Sequence, residues 1–379
     1  MILLLQCLLH ISHSLELTFG SCAGFFDAEN PEIWKSIGSL NPEAFIWLGD
    51  IIYADHTNCP LYFRVPSEDI WREKYMKIKN AEGYKELRQK TKILGVWDDH
   101  DYGKNNEDRF FQYKSLSKKL FLEFLDEPED SERYKREGIY ASYDFFSGDL
   151  LVKVILLDDR TYLDPPGKDG DTLGDVQWLW LEEEMEKKAD LFLIMNGIQI
   201  NVEDRISITE VWHEKSRKRM LKMLEKYPNS ILVSGDVHYS EILEVTCNGW
   251  RVFEFTSSGL THSIQNNYGP LSEIFISLWY PYTYNLIPRR KFKSFGSIKV
   301  EKTGLITMKI IDTYGNISDA YQLHLNDLYK PISPSYTCFQ STTHRITNHL
   351  LSISLIFLLP VSLWFISIVK FLKKYSQSY

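Results

Sequence analysis

Four short stretches carry side chains able to do chemistry: Cys22 in "GSCAGFF", Asp50 and Tyr53 in "GDIIYAD", Asp98, Asp99, His100 and Asp101 in "WDDHD", and Asp236 with His238 in "SGDVH". They bring together a thiol, a phenol, carboxylates and imidazoles. The carboxylates crowded into "WDDHD" repel one another, and none is buried unpaired without a penalty. A cation placed among them removes that penalty. Thiolate and phenolate donors favour a more highly charged or softer ion such as iron, whereas oxygen donors suit Ca2+, Mg2+ or Mn2+. A mixed site is expected. Metal ions a few ångströms apart polarise a phosphoryl group and generate hydroxide near neutral pH.

Something must deliver these groups to one place. A pattern recurs along the chain: a short apolar run that ends in polar residues. "AFIWLGD" ends at Asp50, "KILGVWDDHD" at Asp98 to Asp101, and "LLVKVILLDDR" at Asp158, Asp159 and Arg160. "LFLIMNGIQ" ends in Asn196 and Gln199, and "SILVSGDVH" in Asp236 and His238. Such runs read as buried strands. Helical patterns lie between them over 67–90, 108–125, 175–188 and 213–227. Strands alternating with helices predict an α/β fold, with ligand groups gathered beyond the carboxyl ends of the strands. After Trp250 the texture turns to β segments with Gly and Asn turns, "WRVFEFTSSG", "GSIKVEKTGLITMKIIDTYGN" and "AYQLHLNDL". Two sheets packed face to face accommodate both halves in one domain over 15–330.

The chain has 379 residues, 44% of them apolar and 14% aromatic, enough for a large core, and a formal charge of 43 − 51 = −8. That balance excludes nucleic acid as a bulk partner. Residues 1–14 read as a signal peptide, ending in Ser12, His13 and Ser14. Leu350 to Val369 is uncharged over twenty residues, enough to cross a bilayer, and Lys370, Lys373 and Lys374 follow it. The expectation is a secretory-pathway, single-pass type I membrane protein, with an extracellular or lumenal domain, a Ser/Thr/Pro stalk over 331–349, an anchor over 350–369 and a cytoplasmic tail over 370–379. Without Cys7 the cysteines are Cys22, Cys59, Cys247 and Cys338, too few for a disulfide scaffold. Asn316 in "NIS" is a glycosylation sequon.

"FGSCAGFF", "PEAFIWLGDIIYAD", "GVWDDHDYGKNN", "ILLDDRTYLD", "LGDVQWLWLEEEM" and "ILVSGDVHYSEI", in this order, resemble the PhoD-type alkaline phosphatases of the metallophosphoesterase superfamily. The resemblance spans Leu17 to Ser263. It implies a four-layer α/β/β/α sandwich with added β-hairpins, hydrolysis of phosphate monoesters or diesters, and a site holding Fe3+ with Ca2+. At matched positions Cys22 and Tyr53 would bind iron, Asp50 would bridge metals, and Asp99, Asp236 and His238 would complete the set. His100 would donate a proton or bind phosphate, and Arg160 would clamp phosphate. Related metallophosphatases place a metal-binding His after the fourth strand; "MNGIQI" offers Asn196 and Gln199 instead, which keeps an oxygen-bound Ca2+ in view. Asp98 competes with Asp99 as ligand, and Asn105 and Asn106 are unassigned. Arg160 has a structural alternative as an ion-pair partner of Asp158 or Asp159. The functional alternatives are a catalytically silent Ca2+-stabilised binding domain and a phospholipase-type phosphodiesterase.

Overall fold

The computed structural model describes residues 14–24, 30–55, 63–167, 169–202, 210, 212–247, 249–269 and 285–330. The leader up to residue 13, the stalk, the apolar segment and the tail lie outside the described residues. Among the described residues no helix is long and apolar enough to cross a membrane.

The strands are β1 (Leu15–Gly20), β2 (Ala44–Leu48), β3 (Lys92–Val96), β4 (Ala141–Ser147), β5 (Leu150–Leu156), β6 (Leu191–Met195), β7 (Ser230–Ser234), β8 (Ser240–Cys247), β9 (Trp250–Ser257), β10 (Asn285–Arg290), β11 (Ser294–Val300), β12 (Leu305–Asp312) and β13 (Ile317–His324). One sheet has the order β13-β12-β11-β1-β2-β3, the other β10-β8-β9-β7-β6-β5-β4. Each has a parallel centre, β1 to β3 in the first and β5, β6, β7 and β9 in the second.

Period-two alternation builds the layers. Val152, Val154 and Leu156 of β5, Leu191, Leu193 and Met195 of β6, and Ile231 and Val233 of β7 belong to the core shared with the first sheet. The residues between them, Ile155, Phe192, Ile194 and Leu232, pack on the other side with Trp178, Leu181 and Leu224 of the helices Gly174–Glu186 and Glu214–Lys226. Phe19 and Phe255 meet edge to face across the sheets, 5.0 Å apart. Beneath the first sheet, Trp47 packs on Trp34 and Tyr84 of the helices Pro31–Ser39 and Tyr84–Lys90 at 5.5 and 5.7 Å. The expected α/β/β/α sandwich with hairpins at its carboxyl end is the observed fold.

Two expected helices differ in extent. The span 67–90 divides into Glu68–Lys79 and Tyr84–Lys90, because Gly83 adopts φ +81° between them. The span 108–125 becomes helical only at Lys114. The registers pair Leu48 with Val96, Leu156 with Met195, and Ser234 with Thr256. The parallel strands therefore end level, and the loops after them leave from one rim.

Candidate metal centre

Those loops bend sharply. Cys22, Asp50, Asp236 and His238 all adopt positive φ, between 53° and 67°. A side chain with a Cβ is rarely found there, and such strain clusters at functional sites. Gly49, at φ +87°, lets β2 turn against Asp98: a Cβ on Gly49 would lie 2.3 Å from Asp98 Cβ.

Asp50 stands at the centre. Ligand atoms of Cys22, Asp50 and His238 lie within 4.8 Å of one another, as do those of Asp50, Asp99 and His100 and those of Asp50, Asp98 and Asp236. The Tyr53 hydroxyl donates to Asp50 Oδ2 at 2.9 Å and lies 3.1 Å from His238 Nε2. Cys22 carries a free, buried thiol, 3.5 Å from Asp50 Oδ2 and 3.1 Å from Ser258 Oγ. Ser258 Oγ also accepts the His238 N–H at 2.7 Å. All the expected metal ligands thus meet on the rim.

Burial pushes the Cys22 thiol up to about 11, against the pull of hydrogen bonds from Ser21, Ser258 and Tyr53. It likewise holds Asp50 well above the usual carboxylate range, with the charges of Cys22, Asp99 and Asp98 adding to the effect. His238 is lowered to about 4 by burial and by the His100 charge, so it presents a neutral imidazole. Among the described residues, Asp50 Oδ1 and Asp98 Oδ2 are buried without a hydrogen-bond partner, as are Asp159 Oδ1, Asn196 Oδ1 and Gln199 Oε1. Buried acceptors without donors, grouped with thiol, phenol and imidazole, fit metal ions.

The carboxylates of "WDDHD" divide their work. Asp101 accepts the N–H groups of Ile51 and Ile52 at 3.1 and 3.3 Å and the Tyr75 hydroxyl at 3.3 Å, holding the Asp50 loop from behind. Asp99 accepts the N–H groups of His100 and Asn106 at 2.9 and 2.7 Å. Asp98 receives Arg160, whose Nε donates to Oδ1 at 2.7 Å and whose Nη2 contacts Oδ1 and Glu210. Protein donors therefore compensate much of the charge that the sequence alone assigned to metal ions.

Arg160 is fully buried, with its side chain committed to Asp98 and Glu210. Neither neighbour in "LDDR" takes it: Asp158 receives Trp97 Nε1 and the Ile139 N–H, both at 2.8 Å, and Asp159 receives the Ile198 N–H at 2.9 Å. Gln199 Nε2 donates to Glu241 at 2.9 Å and Thr256 at 2.6 Å. Asn105 is tied through its N–H to Asp55 at 2.9 Å.

Sequence reasoning missed three groups. Asp55 is fully buried, and each of its oxygens lies 2.9 Å from His100 Nδ1. His262 places its ring 4.4 Å from that of His238. Glu210 closes the Arg160 pair. Asp55 had a signal in the second carboxylate of "GDIIYAD"; the other two lie in stretches without a motif.

Two sheets between helix layers, with a thiol, a phenol, carboxylates and imidazoles on one rim, define a metallophosphatase-type centre. The chain belongs to the PhoD-like phosphatase family, whose model matches residues 17–307. Family and fold together support a phosphoesterase with metal cofactors. The solved structure of PhoD aligns with a TM-score of 0.61 at 13% identity, covering 90% of this chain and 77% of that one. A purple acid phosphatase from yellow lupin seeds aligns at 0.56 and 12% identity, covering 87% and 58%. GAP50, described as the anchor in the inner membrane complex of Plasmodium, aligns at 0.54 and 13% identity, covering 89% and 94%. At such identities the likeness concerns the fold. No curated protein matches the chain.

Proposed function

We propose that the protein is a metal-dependent phosphoesterase acting on phosphate monoesters or diesters, with Fe3+ and Ca2+ as its metals. The observation that carries this reading is the central place of Asp50, common to three groups of possible ligands and with no hydrogen-bond partner for Oδ1 among the described residues. Cys22, Tyr53 and His238 would hold the iron, Asp50 would lie between ions, and Asp99 with Asp236 would face the oxygen-preferring ion. Asp98 stands as Asp99's competitor through its free Oδ2. When bound, such ions neutralise the carboxylates, polarise the phosphoryl oxygens and make water acidic enough to attack near neutral pH.

The chain's own residues supply the proton for the leaving oxygen. His100 Nδ1 donates to Asp55, which fixes the ring plane, and although burial opposes the charge, Asp99, Asp50 and Asp55 hold the imidazole protonated well above its usual range, so that Nε2 also carries a proton to give the substrate. Tyr53 packs on the same ring, centroids 4.2 Å apart, and limits its rotation. Water adds to phosphorus, the ester P–O bond breaks, and the alcohol leaves with the proton from Nε2. Arg160 keeps Asp98 in place and acts as a positioning residue.

Metal analysis of the purified protein, paired with chromogenic monoester and diester assays before and after chelation, tests the activity. Iron and calcium at stoichiometric levels with chelation-sensitive turnover are expected, and Asp50→Asn and His238→Ala should each abolish turnover while the circular dichroism stays unchanged. Wild-type turnover in either folded variant refutes that residue's assignment.

A second reading is favoured by the likeness to GAP50, whose description is that of an anchor: a catalytically silent, Ca2+-stabilised binding domain. Chelation would then lower the melting temperature with no turnover to lose. For the location we propose a secretory-pathway protein held by the apolar segment Leu350 to Val369, with its domain lumenal or extracellular. Protection of the domain from protease in intact vesicles, and a glycosidase-sensitive mass at Asn316, test that placement.

A further inference from the structure

Phe63 and Arg64 lie beside the Asp55–His100 pair, and Arg64 also borders a cleft. Arg64 N–H donates to the Asp55 carbonyl oxygen at 3.0 Å, and the ring of Phe63 lies 5.7 Å from that of His100. The next residue, Arg64, already lines a cleft of about 560 Å3 whose apolar walls include Val65, Ile70, Trp71, Tyr113 and Leu116. That volume is in the range of small-molecule sites, about 300–1,000 Å3. Trp71 is fully buried and backed by Phe111 at 6.5 Å, which in turn lies 5.4 Å from Tyr102, two residues from His100. Tyr113 and Ile70 remain 52% and 37% exposed, which leaves apolar surface open to a ligand.

The charges at this cleft are unequal. Glu68 also lines it, but its carboxylate is taken by Arg72 at 2.8 Å. Arg64 is exposed and has no ion-pair partner among the described residues. The mouth therefore attracts an anion, while the walls accept a ring or a short alkyl body. A second cavity, against Trp34, Pro42 and Thr91, lies at the opposite ends of β2 and β3 and is out of reach of the rim.

We propose that the cleft of Arg64, Trp71 and Tyr113 is the subsite for the alcohol half of the ester, and that it selects an apolar or aromatic alcohol bearing an anionic substituent. The proposal rests on the phosphoesterase reading above.

Three monoesters test it on the metal-loaded full chain: 4-carboxyphenyl, phenyl and ethyl phosphate, with calorimetric binding of the product 4-hydroxybenzoate measured in parallel. Arg64→Gln should lower kcat/KM for the carboxyphenyl ester about tenfold relative to ethyl phosphate, mainly through KM, and weaken 4-hydroxybenzoate binding by a similar factor. Tyr113→Ala should lower both aryl esters relative to ethyl phosphate. Variant-to-wild-type factors equal for all three esters, or no binding of 4-hydroxybenzoate to the wild type, overturn the subsite while leaving the phosphoesterase reading in place. Binding of 4-hydroxybenzoate without turnover of any ester overturns that reading instead, and with it the role given to the cleft.

Discussion

Replacing Arg160 by Gln separates its two possible roles. The guanidinium and the Asp98 side chain are fully buried, and the Glu210 side chain is 16% exposed. Removing the cation leaves two carboxylates facing each other without compensation, and breaking a buried pair in this way costs about 3–5 kcal/mol. Against a total stability of about 5–15 kcal/mol that is a large fraction. Guanidinium melts of the metal-free protein should show a midpoint lowered by that energy divided by an unchanged slope. Added Ca2+ should return part of the loss, because a cation beside Asp98 replaces the guanidinium there while Glu210 stays uncompensated. Inhibition of turnover by inorganic phosphate should move only a few-fold. A stability loss below about 1 kcal/mol, the range of exposed pairs, together with a large rise in the phosphate inhibition constant, would refute the positioning role and restore the phosphate clamp.

Asp55→Asn should keep the metal content and lower kcat by about 10- to 100-fold, since the ring it orients still sits in the site; full activity in the variant would show that His100 needs no orientation. Gly49→Ala should destabilise the fold and lose metal together, because the residue sits at φ +87° and its new Cβ would meet Asp98. A variant with wild-type melting and metal content would count against that tight turn. Asp171 tests pH dependence away from the metals. Burial opposes its ionisation, but bonds from Ser216, Trp178 and the backbone outweigh burial and hold the carboxyl below its usual range. A depressed carboxyl stabilises the fold above its unfolded pKa of about 3.9, and that contribution fades as pH falls through the lower folded value. Asp171→Asn should therefore cost about 1 kcal/mol at neutral pH, discounted for its partial exposure, and flatten the loss of stability below about pH 4. An unchanged acid slope would refute the assignment.

Much of this molecule is legible in its order of residues. The runs ending at Asp50, Asp98, Asp159, Asn196 and Asp236 are β2, β3, β5, β6 and β7, because a strand buried on both faces must be apolar until it reaches the rim, where polar groups regain partners. Cys22, Tyr53 and His238 were legible for the same reason, each lying just past such a strand. Two features were not. The break at Gly83 inside one amphipathic pattern is a local conformational choice that hydrophobic spacing hardly registers. The contact between Asp55 and His100 joins positions 45 apart, and nothing in either motif demands the other.

The sequence by itself determined the order of the central strands, the donor types and the level at which each donor leaves its strand, since these follow from local pattern and steric preference. Only the tertiary structure decided which carboxylate faces which partner. Arg160 could as well have paired with its neighbours Asp158 and Asp159, but both Asp158 oxygens are taken by Trp97 and Ile139 across the fold, Asp159 is held through Oδ2 by Ile198, and the guanidinium reaches Asp98 instead. Partner choice among buried charges depends on which donors other segments bring within about 3 Å, a property of packing that the order of residues along one segment does not contain.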